Sequence, residues 1–142
     1  MSAELVDTNV LIYAHDPTTP AKHFAARRLM ERLWIEQTGA LSVQVLQEFV
    51  WIATRKLPQP LTMAAALEIV EDLAVWPVFA PGAADVLAAG RLAESARISF
   101  WDAMVVHAAA SLGASVLWTE DLNAGQVIAG VEIRTPFPPT TA

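Results

Sequence analysis

Four acidic residues, far apart along the chain, each stand against an apolar segment. They are Asp7 in Leu5-Val6-Asp7-Thr8-Asn9, Glu48 in Gln47-Glu48-Phe49, Asp102 in Trp101-Asp102-Ala103 and Asp121 in Trp118-Thr119-Glu120-Asp121. A carboxylate beside buried surface is costly without compensation, and several that converge raise one another's pKa values by repulsion. A divalent cation removes that repulsion. Mg²⁺ and Mn²⁺ prefer oxygen ligands, and Mg²⁺ takes one or two carboxylates directly while keeping several waters. Such a centre acidifies a water and stabilises charge on attacked and leaving oxygens, which is the chemistry of phosphodiester hydrolysis.

Each acid also has a plain structural use. Asp7 after a strand can cap a helix, Asp102 can favour the positive end of a helix dipole, and Asp121 can belong to an acidic turn. Glu48 shares a helix face with Val45, Phe49 and Ile52, where a solvated edge is the alternative. Taken jointly, these uses would have to coincide at one edge of one sheet. Thr8, Asn9, Ser42 and Thr119 are close enough to orient the carboxylates, with capping and turn duty as the competing role.

The elements that must position these groups follow from hydrophobic periodicity and its punctuation. Ala3 to Val6 reads as a strand ending at Asp7, with a helix following through Val10 to Tyr13. An amphipathic helix spans Ala21 to Gln37. A short strand at Ala40-Leu41 leads to a helix from Val43 to Arg55 capped by Ser42, and Thr62 caps a helix from Met63 to Ala74. Val75 to Phe79 reads as an edge strand because of Pro77. Helices from Pro81 to Ala96 and Trp101 to Leu112 precede strands at Ser115 to Trp118 and Val131 to Arg134. Short apolar strands alternating with helices predict a single α/β domain over residues 1–142, with a central parallel sheet covered on both faces. Ligands bind beyond the carboxyl ends of such strands, where Asp7 and Asp121 stand. Glu48 and Asp102 lie on helices that begin near the same edge.

Composition narrows the alternatives. The chain of 142 residues has no cysteine, which excludes disulfides and thiolate chemistry, and its three scattered histidines do not suggest a zinc centre. A net charge of −6 argues against a broad basic nucleic-acid face, though not against an enzyme that touches a few nucleotides. No apolar run is long enough to span a bilayer and no signal segment opens the chain, so the cytoplasm is the expected location. Hydrophobic residues reach 54%, and the surplus is expected in a subunit interface, with Phe24, Leu29, Leu33 and Trp34 as the candidate face. Trp34, Trp51, Trp76 and Trp118 are expected in core or interface, with Trp101, next to Asp102, as the one candidate for substrate contact. His107 reads as a structural histidine, and Arg27, Arg28, Arg32, Arg55 and Lys56 as a solvated helix face or a phosphate rim.

The chain resembles the PIN-domain family, and within it the VapC-type ribonuclease toxins. Val6-Asp7-Thr8-Asn9-Val10-Leu11-Ile12-Tyr13-Ala14 is similar to the first acidic motif, Gln44 to Phe49 to the second, Trp101 to Ala110 to the third and Leu117 to Gln126 to the fourth. The segment ending in Thr135-Pro136-Phe137 also resembles the toxin subgroup. The resemblance implies a three-layer α/β/α sandwich and a homodimer with Mg²⁺- or Mn²⁺-dependent endoribonuclease activity. It further implies a small antitoxin partner, through which alone DNA would be contacted. It carries the metal-holding role onto Asp7, Asp102 and Asp121, and water activation onto Glu48. Asp121 rather than Glu120 matches the motif's acid, two places after Thr119. Where some members carry a further acid, this chain has Asn123 and Gln126. Two other readings remain open: a PIN-like binding protein with a silent site, and a structure-selective DNA nuclease.

Overall fold

The computed structural model of the protein describes residues 2–139. Its elements run β1 (Glu4–Val6), α1 (Thr8–Ala14), α2 (Pro20–Glu36), β2 (Gly39–Ser42), α3 (Val43–Arg55), α4 (Met63–Leu73), β3 (Val78–Phe79), α5 (Ala83–Ala96), α6 (Phe100–Ser111), β4 (Val116–Trp118), β5 (Val127–Ile128) and β6 (Val131–Arg134). Short polar side chains start the helices as their types predict. Ser42 Oγ accepts the Val45 amide at 3.2 Å, Thr62 Oγ1 the Ala65 amide at 3.1 Å and Ser99 Oγ the Asp102 amide at 3.0 Å.

The strands form one sheet in the order β3-β2-β1-β4-β6-β5. All neighbours are parallel except β5, which pairs antiparallel with β6. Alternation along each strand divides the core into two layers. Val6 and Leu41 join residues of α1 to α4 on one face, while Leu5, Ala40, Leu117 and Ile133 meet α6 on the other. The result is the α/β/α sandwich that the alternating pattern predicts. Its core strands are buried on both faces, which is why they read as continuous apolar runs.

Three expectations change. The strand over Val75 to Phe79 shrinks to Val78–Phe79: Pro77 has no amide to donate, and Trp76 turns inward while Val75 stays exposed. Trp76 lies so close to the backbone of β2 that a Cβ at Gly39 would overlap three of its ring carbons, so only glycine fits there. The β5–β6 hairpin adds an element that the sequence pattern does not announce; it turns on Ala129 and Gly130, both at positive φ (51° and 80°). Finally, the expected subunit face divides: Leu29 and Leu33 are buried in the protein's own core, leaving Phe24 and Trp34 exposed. Trp51 is likewise exposed rather than packed inside. Among the described residues no helix is long and apolar enough to cross a membrane.

Candidate active site

From β1 the chain steps outward to β2 and β3, then crosses back to lay β4 against the other side of β1. That reversal opens a crevice at the carboxyl ends of β1 and β4. The two strands pair with Val6 opposite Trp118, and the Asp7 amide donates to the Trp118 carbonyl at 2.9 Å. The next residues, Asp7 and Thr119, therefore stand side by side. Asp7 is 6% exposed and Thr119 fully buried.

Asp7 combines its structural and chemical uses. Its Oδ1 accepts the Thr8 amide at 2.7 Å and caps α1, while Oδ2 accepts the Thr119 hydroxyl at 2.8 Å. Burial pushes its carboxyl up to about 6; the Thr119 and Thr8 hydrogen bonds oppose that rise, and the charges of Asp121 and Glu48 add to it.

Asn9, in the first turn of α1, ties the loop after β4 to the end of β1. Its Nδ2 lies 3.0 Å from Asp121 Oδ2, 3.2 Å from Thr119 Oγ1 and 3.4 Å from Asp7 Oδ2, and its Oδ1 accepts the Glu120 amide at 3.3 Å. Thr119 Oγ1 also accepts the Asp121 amide at 3.1 Å. The loop after β4 is thus fixed with Asp121 turned towards Asp7. Desolvation raises the Asp121 carboxyl, the Asn9 hydrogen bond lowers it, and the charges of Asp102, Glu120 and Glu48 raise it further.

Glu48 comes from α3, which Ser42 launches from the end of β2. Its Oε2 accepts the Thr8 hydroxyl at 3.1 Å and its Oε1 the Gln44 amide at 2.9 Å. Gln44 Nε2 also lies 3.5 Å from the Trp101 carbonyl, joining the start of α3 to the first turn of α6, where Asp102 stands. Asp102 and Asp121 line one polar cavity of about 290 Å³.

All four expected acids therefore meet at one edge. Thr8, Asn9 and Thr119 hydrogen-bond Asp7, Glu48 and Asp121, none of them reaches Asp102, and Ser42 serves α3 alone. Gln44 joins them without having been singled out in the sequence, although a Gln four residues before a Glu on a helix faces it directly. Glu120 and Asp121 point apart: Glu120 takes Lys22 Nζ at 2.8 Å, and Asp121 takes Asn9. Lys22 also lies 4.8 Å from the Tyr13 ring centre. His107 lies elsewhere, with Nε2 at 2.8 Å from Asp85 Oδ1.

Among the described residues none of the four acids forms an ion pair with a basic side chain; every hydrogen-bond donor found on their carboxyl oxygens is neutral. An exclusively oxygen donor set, a buried carboxyl raised to about 6 and mutual repulsion fit a hard divalent cation. Among the described residues no three acidic or histidine side chains stand close enough together to hold a metal ion between them. A larger cavity, about 470 Å³, lies between α2 and α4 around Trp34, Ile35 and Trp76, and the acids do not line it.

The fold and this arrangement of acids define an α/β domain of nuclease-like layout. The PIN domain family model matches residues 5–128, and the chain belongs to that family. No curated protein sequence matches it significantly. Among solved structures, a chain of the DNA-bound VapBC complex from Salmonella typhimurium superposes with a TM-score of 0.66 at 23% identity, covering 96% of this chain and 99% of its own. A chain of Rickettsia felis VapBC2, bound to a promoter DNA fragment, gives 0.63 at 18% identity over 94% and 98%. Mycobacterium tuberculosis VapC20, a toxin that cleaves the sarcin-ricin loop, gives 0.60 at 20% identity over 81% and 87%.

Proposed function

We propose that this protein is a metal-dependent endoribonuclease, the toxin of a toxin–antitoxin pair acting in the cytoplasm. The observation that carries the proposal is the convergence of Asp7, Glu48, Asp102 and Asp121, from four separate elements, with neutral donors only. Asp7, Asp102 and Asp121 would hold Mg²⁺ or Mn²⁺. The bound ion would acidify a water and offset charge developing on the phosphodiester oxygens.

The protein's own groups supply position. Thr119 fixes the rotamer of Asp7, Asn9 spaces Asp7 from Asp121, and Thr8 with Gln44 holds both oxygens of Glu48. Held this way, Glu48 is placed to accept a proton from the attacking water. The similarity to VapC20 supports structured RNA as the substrate class. The toxin–antitoxin assemblies among the similar structures support an antitoxin partner, which would make any DNA contact itself. The apolar cavity between α2 and α4, with Trp34 and Ile35 exposed, offers such a partner surface to cover. Exposed Trp51, Met63 and Leu67 on α3 and α4 offer one apolar surface for a homodimer.

Purified protein should cut discrete sites in a pool of folded RNAs with Mg²⁺ or Mn²⁺ and none with chelator. Glu48→Gln should fold normally and cut roughly 10²–10⁴-fold more slowly, the usual loss of a general base. Wild-type cutting by Glu48→Gln would refute that role, and equal cutting of matched single-stranded DNA would refute RNA selectivity.

A further inference from the structure

Beside the carboxylates, the 290 Å³ cavity has a second, differently built wall: Arg97 and Ile98 after α5, then Leu122, Asn123 and Gln126 after β4. Its volume lies near the lower end of small-ligand sites, about 300–1,000 Å³, suited to one nucleotide rather than a run of them. The three polar side chains offer a guanidinium fork and two amides, each amide both donor and acceptor. A guanidinium pairs with phosphate, and amides read base edges. Although Leu122 and Ile98 also border it, the cavity surface is almost wholly polar.

Arg97 is free to act in this way. Among the described residues its guanidinium makes no ion pair, whereas Lys22, Arg32 and Arg134 are each engaged by a glutamate. Its backbone is left-handed, φ 57°, at the end of α5, where glycine is the favoured residue. Gln37 adopts the same conformation after α2, so the backbone alone assigns no role. The decisive feature is location, because Arg97 shares one cavity with Asp102 and Asp121.

We infer that Arg97, Asn123 and Gln126 form a subsite for the nucleotide next to the scissile bond, with Arg97 on its phosphate and the two amides on its base. This rests on the nuclease reading for the identity of the bond, while nucleotide binding can be measured without any cleavage. The left-handed backbone suits the test: glycine is tolerated at this position, so a fall in affinity at unchanged Tm reports the lost side chain.

The full-length protein with Mg²⁺ is titrated with each of the four nucleoside monophosphates by NMR, following the Asn123 and Gln126 side-chain amides. The expected result is saturable shifts at both amides and a preference among the bases that Asn123→Ala with Gln126→Ala removes. Arg97→Gly should weaken binding about tenfold without lowering Tm, with Arg97→Lys in between. With a single-stranded oligoribonucleotide, the salt dependence should flatten by about 0.7 in log–log slope, the share of the single phosphate that Arg97 neutralises. No shift at the two amides, or wild-type affinity in Arg97→Gly, overturns the subsite. If Asp7-dependent RNA cutting persists while Arg97→Gly keeps its wild-type KM, the subsite fails and the nuclease stands. Nucleotide binding here in a protein that cuts no RNA keeps the subsite and removes the nuclease.

Discussion

Replacing Asp7 by asparagine should make the metal-free protein more stable while abolishing its proposed activity. The Asp7 carboxyl titrates at about 6 in the fold against a reference of 3.8. Between those values the folded state holds more proton than the unfolded one, so its contribution to stability falls as pH rises through that window. The gap, at about 1.4 kcal/mol per pH unit, amounts to a penalty of about 3 kcal/mol at neutral pH. Asparagine removes the charge and keeps an oxygen for the Thr8 amide. Its amide nitrogen would face Thr119 Oγ1, which already accepts from Asn9 and Asp121, so about 1–2 kcal/mol is lost again. The net gain is about 1–2 kcal/mol, or roughly 3–6 °C in Tm for a chain of this size.

Thermal melts of both proteins in chelator from pH 4 to pH 8 provide the assay. The variant should melt higher at pH 7.5 and lose its advantage towards pH 4, where the wild-type carboxyl is protonated. Mg²⁺ at about ten times its dissociation constant should then stabilise the wild type by about 1.4 kcal/mol and leave the variant where it was. A variant less stable than wild type at pH 7.5 in chelator, or a difference that ignores pH, would refute the assignment of Asp7 as a strained, uncompensated charge.

Thr119→Val removes the hydroxyl that donates to Asp7 and accepts from Asn9 and the Asp121 amide; it should cost about 1–3 kcal/mol and slow RNA cleavage at least tenfold. Full activity in that variant would show that Asp7 needs no orientation. Gly39→Ala should lower stability by about 1–3 kcal/mol, because the new methyl forces Trp76 aside; unchanged urea midpoints would contradict the packing described. Ala129→Asn, at a left-handed position that asparagine tolerates better, should raise Tm by about 2–4 °C with cleavage unaltered, and a fall in Tm would argue against the hairpin.

The parts of the fold legible in sequence are those where a physical constraint is local. Ser42 and Thr62 mark helix starts because a side-chain oxygen beside free amides has an immediate use. The buried strands show themselves by unbroken apolar residues. The β5–β6 hairpin does not, because its first turn position is Ala129, and Gly130 alone lacks the Asn-Gly or Asp-Gly pairing that usually announces such turns. Leu29 and Leu33 read as a subunit face for a related reason: amphipathic spacing tells that a helix has an apolar side, not which apolar surface meets it. Among site residues, the acids are visible by type and their immediate neighbours by adjacency. Arg97 is not, since its relation to Asp121 exists only after the sheet has brought the end of α5 beside the loop after β4.

The distribution of positive charge around the site gives this arrangement its sense. A lysine turned onto Asp121 would satisfy the carboxylate and compete with any cation. Here Lys22, one of two basic residues beside the loop that carries Asp121, is taken by Glu120 and leans on Tyr13, while Asn9 supplies Asp121 with a neutral donor. Arg97, which lines the same cavity, makes no ion pair with Asp121. Arg32 is held by Glu4 and Glu36, and Arg134 by Glu132. Two adjacent acids on one loop thus divide the work. Glu120 absorbs the nearby ammonium, and Asp121 keeps its charge available, at the cost of a raised carboxyl pKa. It follows that Glu120→Gln should weaken the proposed activity without touching any ligand, because a released Lys22 can swing to Asp121. The double variant Glu120→Gln with Lys22→Met should recover much of the activity. Cleavage by Glu120→Gln at the wild-type rate would show that Lys22 never reaches the site, and a double variant no better than the single one would place the defect in Glu120 itself.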